Sequence, residues 1–191
     1  MEEMRHHHVE SKEGEKGLNF DKGRATLLLD ITPDGSSLAS LRKIAEEEGL
    51  SQKDEFHVTI IGSQTGKAIG EKMLSMSPVE QDDFLSRIEN LSNSFTWTYS
   101  FTPEYNLISK TYGGENSVPT ESRRSIIQTL ELPDLNRFYK KLNELLDTEF
   151  SVPFPHVTLF TTSTNQATML QGIGVYSEEQ LKTLNPVKIT V

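Results

Sequence analysis

Two copies of one tripeptide, His57-Val58-Thr59 and His156-Val157-Thr158, stand in a chain of 191 residues that has only five histidines. The other three, His6, His7 and His8, form a run near the amino terminus that reads as native sequence, an affinity-tag remnant or a weak metal-binding tract. Both remaining imidazoles therefore sit in the same word. With an ordinary pKa of about 6.5, one imidazole can take a proton near neutral pH while a second gives one. A threonine hydroxyl two residues further along can donate a hydrogen bond to an oxygen that gains charge. Two such pairs facing one centre suit in-line displacement at phosphorus. One histidine activates the attacking oxygen, the other protonates the departing oxygen, and the hydroxyls of Thr59 and Thr158 hold the non-bridging oxygens. A zinc site wants at least three protein ligands, and neither motif has a second histidine or a carboxylate at ligand spacing, so neither a metal nor another cofactor is expected. Either motif alone is ordinary, because threonine favours strands and a strand histidine is commonly structural. The chemical reading rests on the pair.

The elements that carry the two motifs repeat as well. Ala25 to Ile31 is a short apolar run of strand length, followed by the turn signal Pro33-Asp34. Ser36 or Ser37 can cap a helix with Leu38, Leu41, Ile44 and Ala45 on one face, and Gly49 stops it. "EFHVTIIG" then reads as a strand. Residues 65–91 read as two helical pieces, with Pro78 opening the second. "SFTWTYSF" and "YNLISKTYG" read as strands on either side of Pro103, and Gly113 to Ser117 as a loop. "RSIIQTLEL" is a further strand, followed by Pro133-Asp134 and an amphipathic helix marked by Leu135, Phe138, Leu142, Leu145 and Leu146. "FPHVTLFTTS" returns as a strand. A short helix near 177–184 and a last strand, "VKITV", end the chain. Pro33 lies 24 positions before His57, and Pro133 lies 23 before His156. The chain thus reads as two strand-helix-strand units, each ending in a His-Val-Thr strand. Within each such strand His and Thr share one face, and Val with the next aliphatic residue shares the other.

Composition narrows the classes further. There is no cysteine, which excludes disulfides, thiolate metal sites and a cysteine nucleophile. A net charge of -9 argues against an extended basic track along nucleic acid, while leaving room for a locally positive cleft that takes a small anion. No apolar run reaches the roughly 20 residues of a membrane span, so no membrane partner and a cytoplasmic location are expected. Residues 1–22 read as a mobile, charged tail, and 23–191 as one domain, expected to be a monomer.

The two motifs, "HVTI" and "HVTL", with the repeat around them, resemble those of the 2H phosphoesterase superfamily. The resemblance spans about residues 24–191. It implies an α+β, bilobal fold in which two antiparallel β-sheets flank a central cleft, with helices outside and a pseudo-two-fold internal repeat. It also implies a phosphodiesterase of 2′,3′-cyclic or related 2′-linked phosphodiesters at a nucleotide or RNA end. By this resemblance His57 and His156 are the acid-base pair, and Thr59 and Thr158 bind phosphate; the sequence leaves open which histidine is the base, roles that exchange between the forward and reverse reactions, and His156 is taken as base and His57 as acid. Tyr112, Arg124 and Phe154 are candidates for holding the rest of the substrate, with Trp97 and Tyr105 as further stacking candidates and Arg24, Arg123 and Lys110 as further cations. Non-catalytic binding of a nucleotide or RNA end, and 2′-5′ RNA ligation, are the alternatives.

Overall fold

In a computed structural model, which describes residues 17–113 and 119–191, the two His-Val-Thr strands lie side by side at the middle of one antiparallel sheet. The strands are β1 (Leu18–Asp21), β2 (Thr26–Asp30), β3 (Ser51–Gln52), β4 (His57–Ile61), β5 (Ser100–Tyr112), β6 (Glu121–Glu131), β7 (His156–Ser163) and β8 (Val187–Ile189). Their order across the sheet is β1-β2-β4-β7-β6-β5-β8, with β3 pairing separately with β7. The helices are α1 (Gly35–Glu47), α2 (Ser63–Met73), α3 (Pro78–Asn93), α4 (Leu135–Leu146) and α5 (Glu178–Thr183). The fold is α+β.

Local chemistry accounts for most boundaries. Asp34, rather than either serine, caps α1, its carboxylate accepting from the Ser37 amide at 3.1 Å. The helix stops where Gly49 takes a φ of 67°, a left-handed conformation that glycine adopts without strain. Ser77 and Glu80 form a capping box around Pro78 at the start of α3. The segments expected as two strands around Pro103 are one strand, β5, whose register shifts between Phe101 and Tyr105. A proline lacks the N–H of a ladder position, and the irregularity lets the strand pass it without ending. The sequence before it, Ser94 to Tyr99, is not strand; Trp97 packs there against Phe95 and Phe138, at ring-centroid distances of 5.6 and 5.4 Å.

Two further expectations change. The tail was expected to run to residue 22, but Leu18–Asp21 of that stretch pair with β2 as a strand; residues 1–16, with His6 to His8, lie outside the described residues. Alternating burial of Leu18 and Phe20 on a short, polar-flanked segment gave too weak a pattern to read as a strand. Residues 114–118 of the expected loop also lie outside the description. Second, the strands form a single hydrogen-bonded sheet in place of two separate ones, although its central seam is narrow: β4 and β7 meet only at Val58 and Val157. The core crosses that seam. Val58, Ile60, Val157 and Leu159 are all fully buried, in one apolar cluster with Leu27 of β2, Leu41 of α1, Ile126 of β6 and Phe138 of α4. Burial of each such side chain is worth about 1.5–3 kcal/mol.

Candidate active site

Alternation along β4 and β7 sends Val58, Ile60, Val157 and Leu159 into the core and leaves His57, Thr59, His156 and Thr158 half-buried on the opposite face. The pairing of Val58 with Val157 sets how these four meet. Continued by one residue each way, that antiparallel register puts His57 beside Thr158 and Thr59 beside His156. The flanking strands complete the rows: Asp30 of β2 lies across from His57, and Thr129 of β6 lies across from His156. All four motif residues line one cavity of about 180 Å³.

The roof of this cavity is the segment between β7 and α5. Ile173 and Val175 anchor it by packing on Ile108 of β5, Ile127 of β6 and Leu184, in a small second core on the site face of the sheet. Gly172 presses on the site itself. A Cβ there would stand 2.8 Å from the Thr158 hydroxyl oxygen, which makes glycine necessary for so close an approach. Tyr176 also lines the cavity; its hydroxyl shares a hydrogen bond with Ser63 Oγ at 3.2 Å, and its amide donates to Gln180 Oε1 at 2.6 Å.

The two imidazoles have different surroundings. His156 Nδ1 is 2.8 Å from the Phe154 carbonyl oxygen, an acceptor only, so Nδ1 carries the hydrogen and Nε2 holds the lone pair when the ring is neutral. The Phe154 ring stacks on the imidazole, with centroids 6.1 Å apart and planes at 25°. Burial pushes the His156 pKa below the ordinary value; the Phe154 carbonyl opposes this, a charge on His57 would lower it again, and the backbone of Ile173 in the roof raises it slightly. Burial also lowers the His57 pKa, helped by the Lys53 ammonium and opposed by the Asp30 and Glu55 carboxylates.

Of the expected substrate-holding residues, only Phe154 lines the cavity. Arg124 does not: its guanidinium pairs with the Glu48 carboxylate and donates to the Glu48 carbonyl at 3.1 Å, tying β6 to the carboxyl end of α1. A cation is favourable at that end of a helix dipole, which explains the placement. Tyr112 does not line it either; its ring lies against Lys110 and Arg123, at 4.9 and 4.7 Å. Tyr105 is buried, its hydroxyl oxygen accepting from Gln128 Nε2 at 3.1 Å, and Arg24 pairs with Asp21 at the surface.

The sequence reading missed Lys53 and Tyr176. Lys53 lines the cavity and donates from Nζ to the Leu170 carbonyl at 2.7 Å, which joins the roof to the chain just before His57. Its only signal was a cation four residues upstream of the histidine. Tyr176 had a faint one, the run Gly172-Ile173-Gly174-Val175-Tyr176 with two close glycines. Among the described residues no three of His, Asp and Glu come together as a metal site would need. Comparison with family models, curated proteins and solved structures finds no match.

Proposed function

We propose that the chain is a metal-independent phosphodiesterase that hydrolyses a 2′,3′-cyclic phosphate, or a related 2′-linked phosphodiester, of a nucleotide or RNA end. One observation carries the reading: two imidazoles and two hydroxyls, contributed by adjacent antiparallel strands, line one cavity in a crossed arrangement. Adjacent antiparallel strands are related by a local two-fold axis, so each side of a phosphate placed between them meets a histidine and a threonine.

The wider two-fold reading, a pair of lobes built from one repeated unit, draws on the sheet order. β2-β4 and β7-β6 stand on opposite sides of the seam as hairpin-like antiparallel pairs, and Asp34 and Asp134 precede α1 and α4.

In the proposed reaction His156 is the base, its ring set by the Nδ1 contact to Phe154 so that Nε2 is the accepting nitrogen. It takes a proton from water as the water oxygen bonds to phosphorus. The bond from phosphorus to one sugar oxygen breaks, and His57, protonated, gives its proton to that oxygen. Thr59 and Thr158 donate to the two non-bridging oxygens, and Lys53 adds a positive field on an otherwise acidic protein.

The test is hydrolysis of 2′,3′-cyclic nucleotides in the presence of EDTA. His57→Ala and His156→Ala should each lower kcat/KM by about 10²–10⁴, and Thr59→Val or Thr158→Val by about 10²–10³. Wild-type activity that needs an added metal, or that survives either histidine substitution, would sink the assignment.

A further inference from the structure

A second cavity, of about 260 Å³, adjoins the first and shares Gly62, Pro153 and Tyr176 with it. The two differ in charge. The first is lined by Lys53, Glu55 and the two imidazoles; the second has Glu149 as its one charged lining residue among the described residues. An anion therefore favours the first, and a neutral group that donates hydrogen bonds favours the second.

The second cavity is also built to hold its shape. Tyr176, on the shared wall, is tethered at both its hydroxyl and its amide. Opposite, Asn143 of α4 grips the chain on both sides of Glu149: its Oδ1 accepts from Thr148 Oγ1 at 3.0 Å and from the Phe150 amide at 2.8 Å, and its Nδ2 donates to the Phe150 carbonyl at 3.0 Å. The backbone that bears Glu149 is thus fixed before any ligand arrives, while the carboxylate itself stays exposed to the cavity. Phe150 and Tyr176, both half-buried, supply flat apolar surface, and the fully buried Tyr139, whose hydroxyl is committed to the Ile60 carbonyl at 2.8 Å, forms the floor beneath them. Aromatic surface beside one carboxylate, with Gln64, Thr65 and Ser151 as neutral polar groups, fits a planar heterocycle.

We propose that this second cavity is the nucleobase subsite of the phosphodiesterase and that Glu149 selects guanine. The inference rests on the reaction proposed above. A carboxylate is acceptor only, so it favours a base edge with two adjacent donors. Guanine offers one, the ring N1–H beside the exocyclic amine. On adenine and cytosine the exocyclic amine stands beside an acceptor ring nitrogen, which a carboxylate repels. Uracil presents one N–H between two carbonyls. The cyclic phosphate would lie between His57 and His156 while the base passes Tyr176 into the second cavity.

The experiment compares kcat/KM for the 2′,3′-cyclic phosphates of guanosine, adenosine, cytidine and uridine, in the wild type and Glu149→Gln. Calorimetric binding of the four 3′-nucleotides runs in parallel. Guanosine should be preferred about tenfold or more, the discrimination a good bidentate contact provides. An amide at 149 offers a donor and an acceptor, so Glu149→Gln should lose that preference and gain adenosine or cytidine relative to guanosine. Equal use of all four bases by the wild type, or an unchanged guanosine preference in the variant, overturns the subsite. Should no cyclic nucleotide be turned over, the reaction fails and calorimetry alone decides the subsite: tighter binding of 3′-GMP than of 3′-UMP, abolished by the substitution, supports it, and equal binding overturns it.

Discussion

At the residue scale the site depends on two imidazoles that burial holds below their ordinary pKa, each surrounded differently. The proposed chemistry needs His156 neutral and His57 protonated at the same moment. For the free enzyme, kcat/KM should therefore follow a bell: it rises as His156 loses its proton and falls as His57 loses its own. Because both values are lowered, the maximum should lie on the acid side of about 6.5. The rings also repel each other's charge, so the two limbs describe the pair, with apparent values that belong to neither ring alone. A bound phosphodiester anion favours the protonated rings, so the bell for kcat should shift toward higher pH than that for kcat/KM. Initial rates across about pH 4–9, at limiting and at saturating substrate, measure both bells. A kcat/KM maximum well above neutral would contradict the arrangement.

At the element scale the roof segment is held by a polar brace as well as by its apolar anchors. Glu121, at the start of β6, accepts from Arg123, from Thr168 Oγ1 at 2.6 Å and from Ser163 Oγ at 2.9 Å. Arg123 in turn donates to the Gly172 carbonyl at 3.4 Å, directly behind the glycine that abuts Thr158. The contact to Arg123 is the main cause that brings the Glu121 pKa from 4.5 down to about 2, with the Thr168 and Ser163 hydroxyls adding to it. A carboxyl depressed by folding stabilises the fold above its unfolded value and loses that contribution as pH falls through the folded one. Glu121→Gln should thus lower Tm at pH 7, and its difference from the wild type should shrink as pH falls from about 4.5 toward about 2. As a positioning residue, Glu121 should affect kcat more than KM, since Thr158 is needed most when charge develops on phosphate. Thermal melts across that range, with steady-state kinetics at pH 7, measure both effects. A Tm difference independent of pH would assign the loss to packing. None of this brace was legible beforehand: Glu121, Arg123 and Thr168 follow no spacing rule, and only the pairing of β6 with β7 brings them to the roof.

For the whole molecule, the legible parts were those set by local pattern: strands and helices with a clear period, the turns at Pro33-Asp34 and Pro133-Asp134, and the face that His57, Thr59, His156 and Thr158 share. What depends on long-range pairing was not, including the edge strand β1, the unbroken β5, the roof over the cavity and the engagement of Arg124 with Glu48. The same distinction bears on how the protein unfolds. A reading by lobes predicts two halves, and the hydrogen-bonded seam is narrow: β4 meets β7 at one residue pair, and β3 adds two more. The apolar core, however, runs through the seam: Leu41 of α1 and Phe138 of α4, from opposite sides, belong to one buried cluster. Core continuity outweighs a narrow ladder, because a net hydrogen bond contributes about 0.5–1.5 kcal/mol and a buried leucine contributes about 2–5 kcal/mol when truncated to alanine. The domain should therefore unfold as one unit. Trp97 reports on the α4 side, through its packing on Phe95 and Phe138. Leu41→Ala, on the far side and fully buried, should destabilise the protein by about 2–5 kcal/mol and move the Trp97 fluorescence transition in urea by the same amount as the far-ultraviolet circular dichroism transition. A Trp97 transition left in place while the dichroism shifts would mean that the seam separates two cooperative units and that the shared core does not couple them.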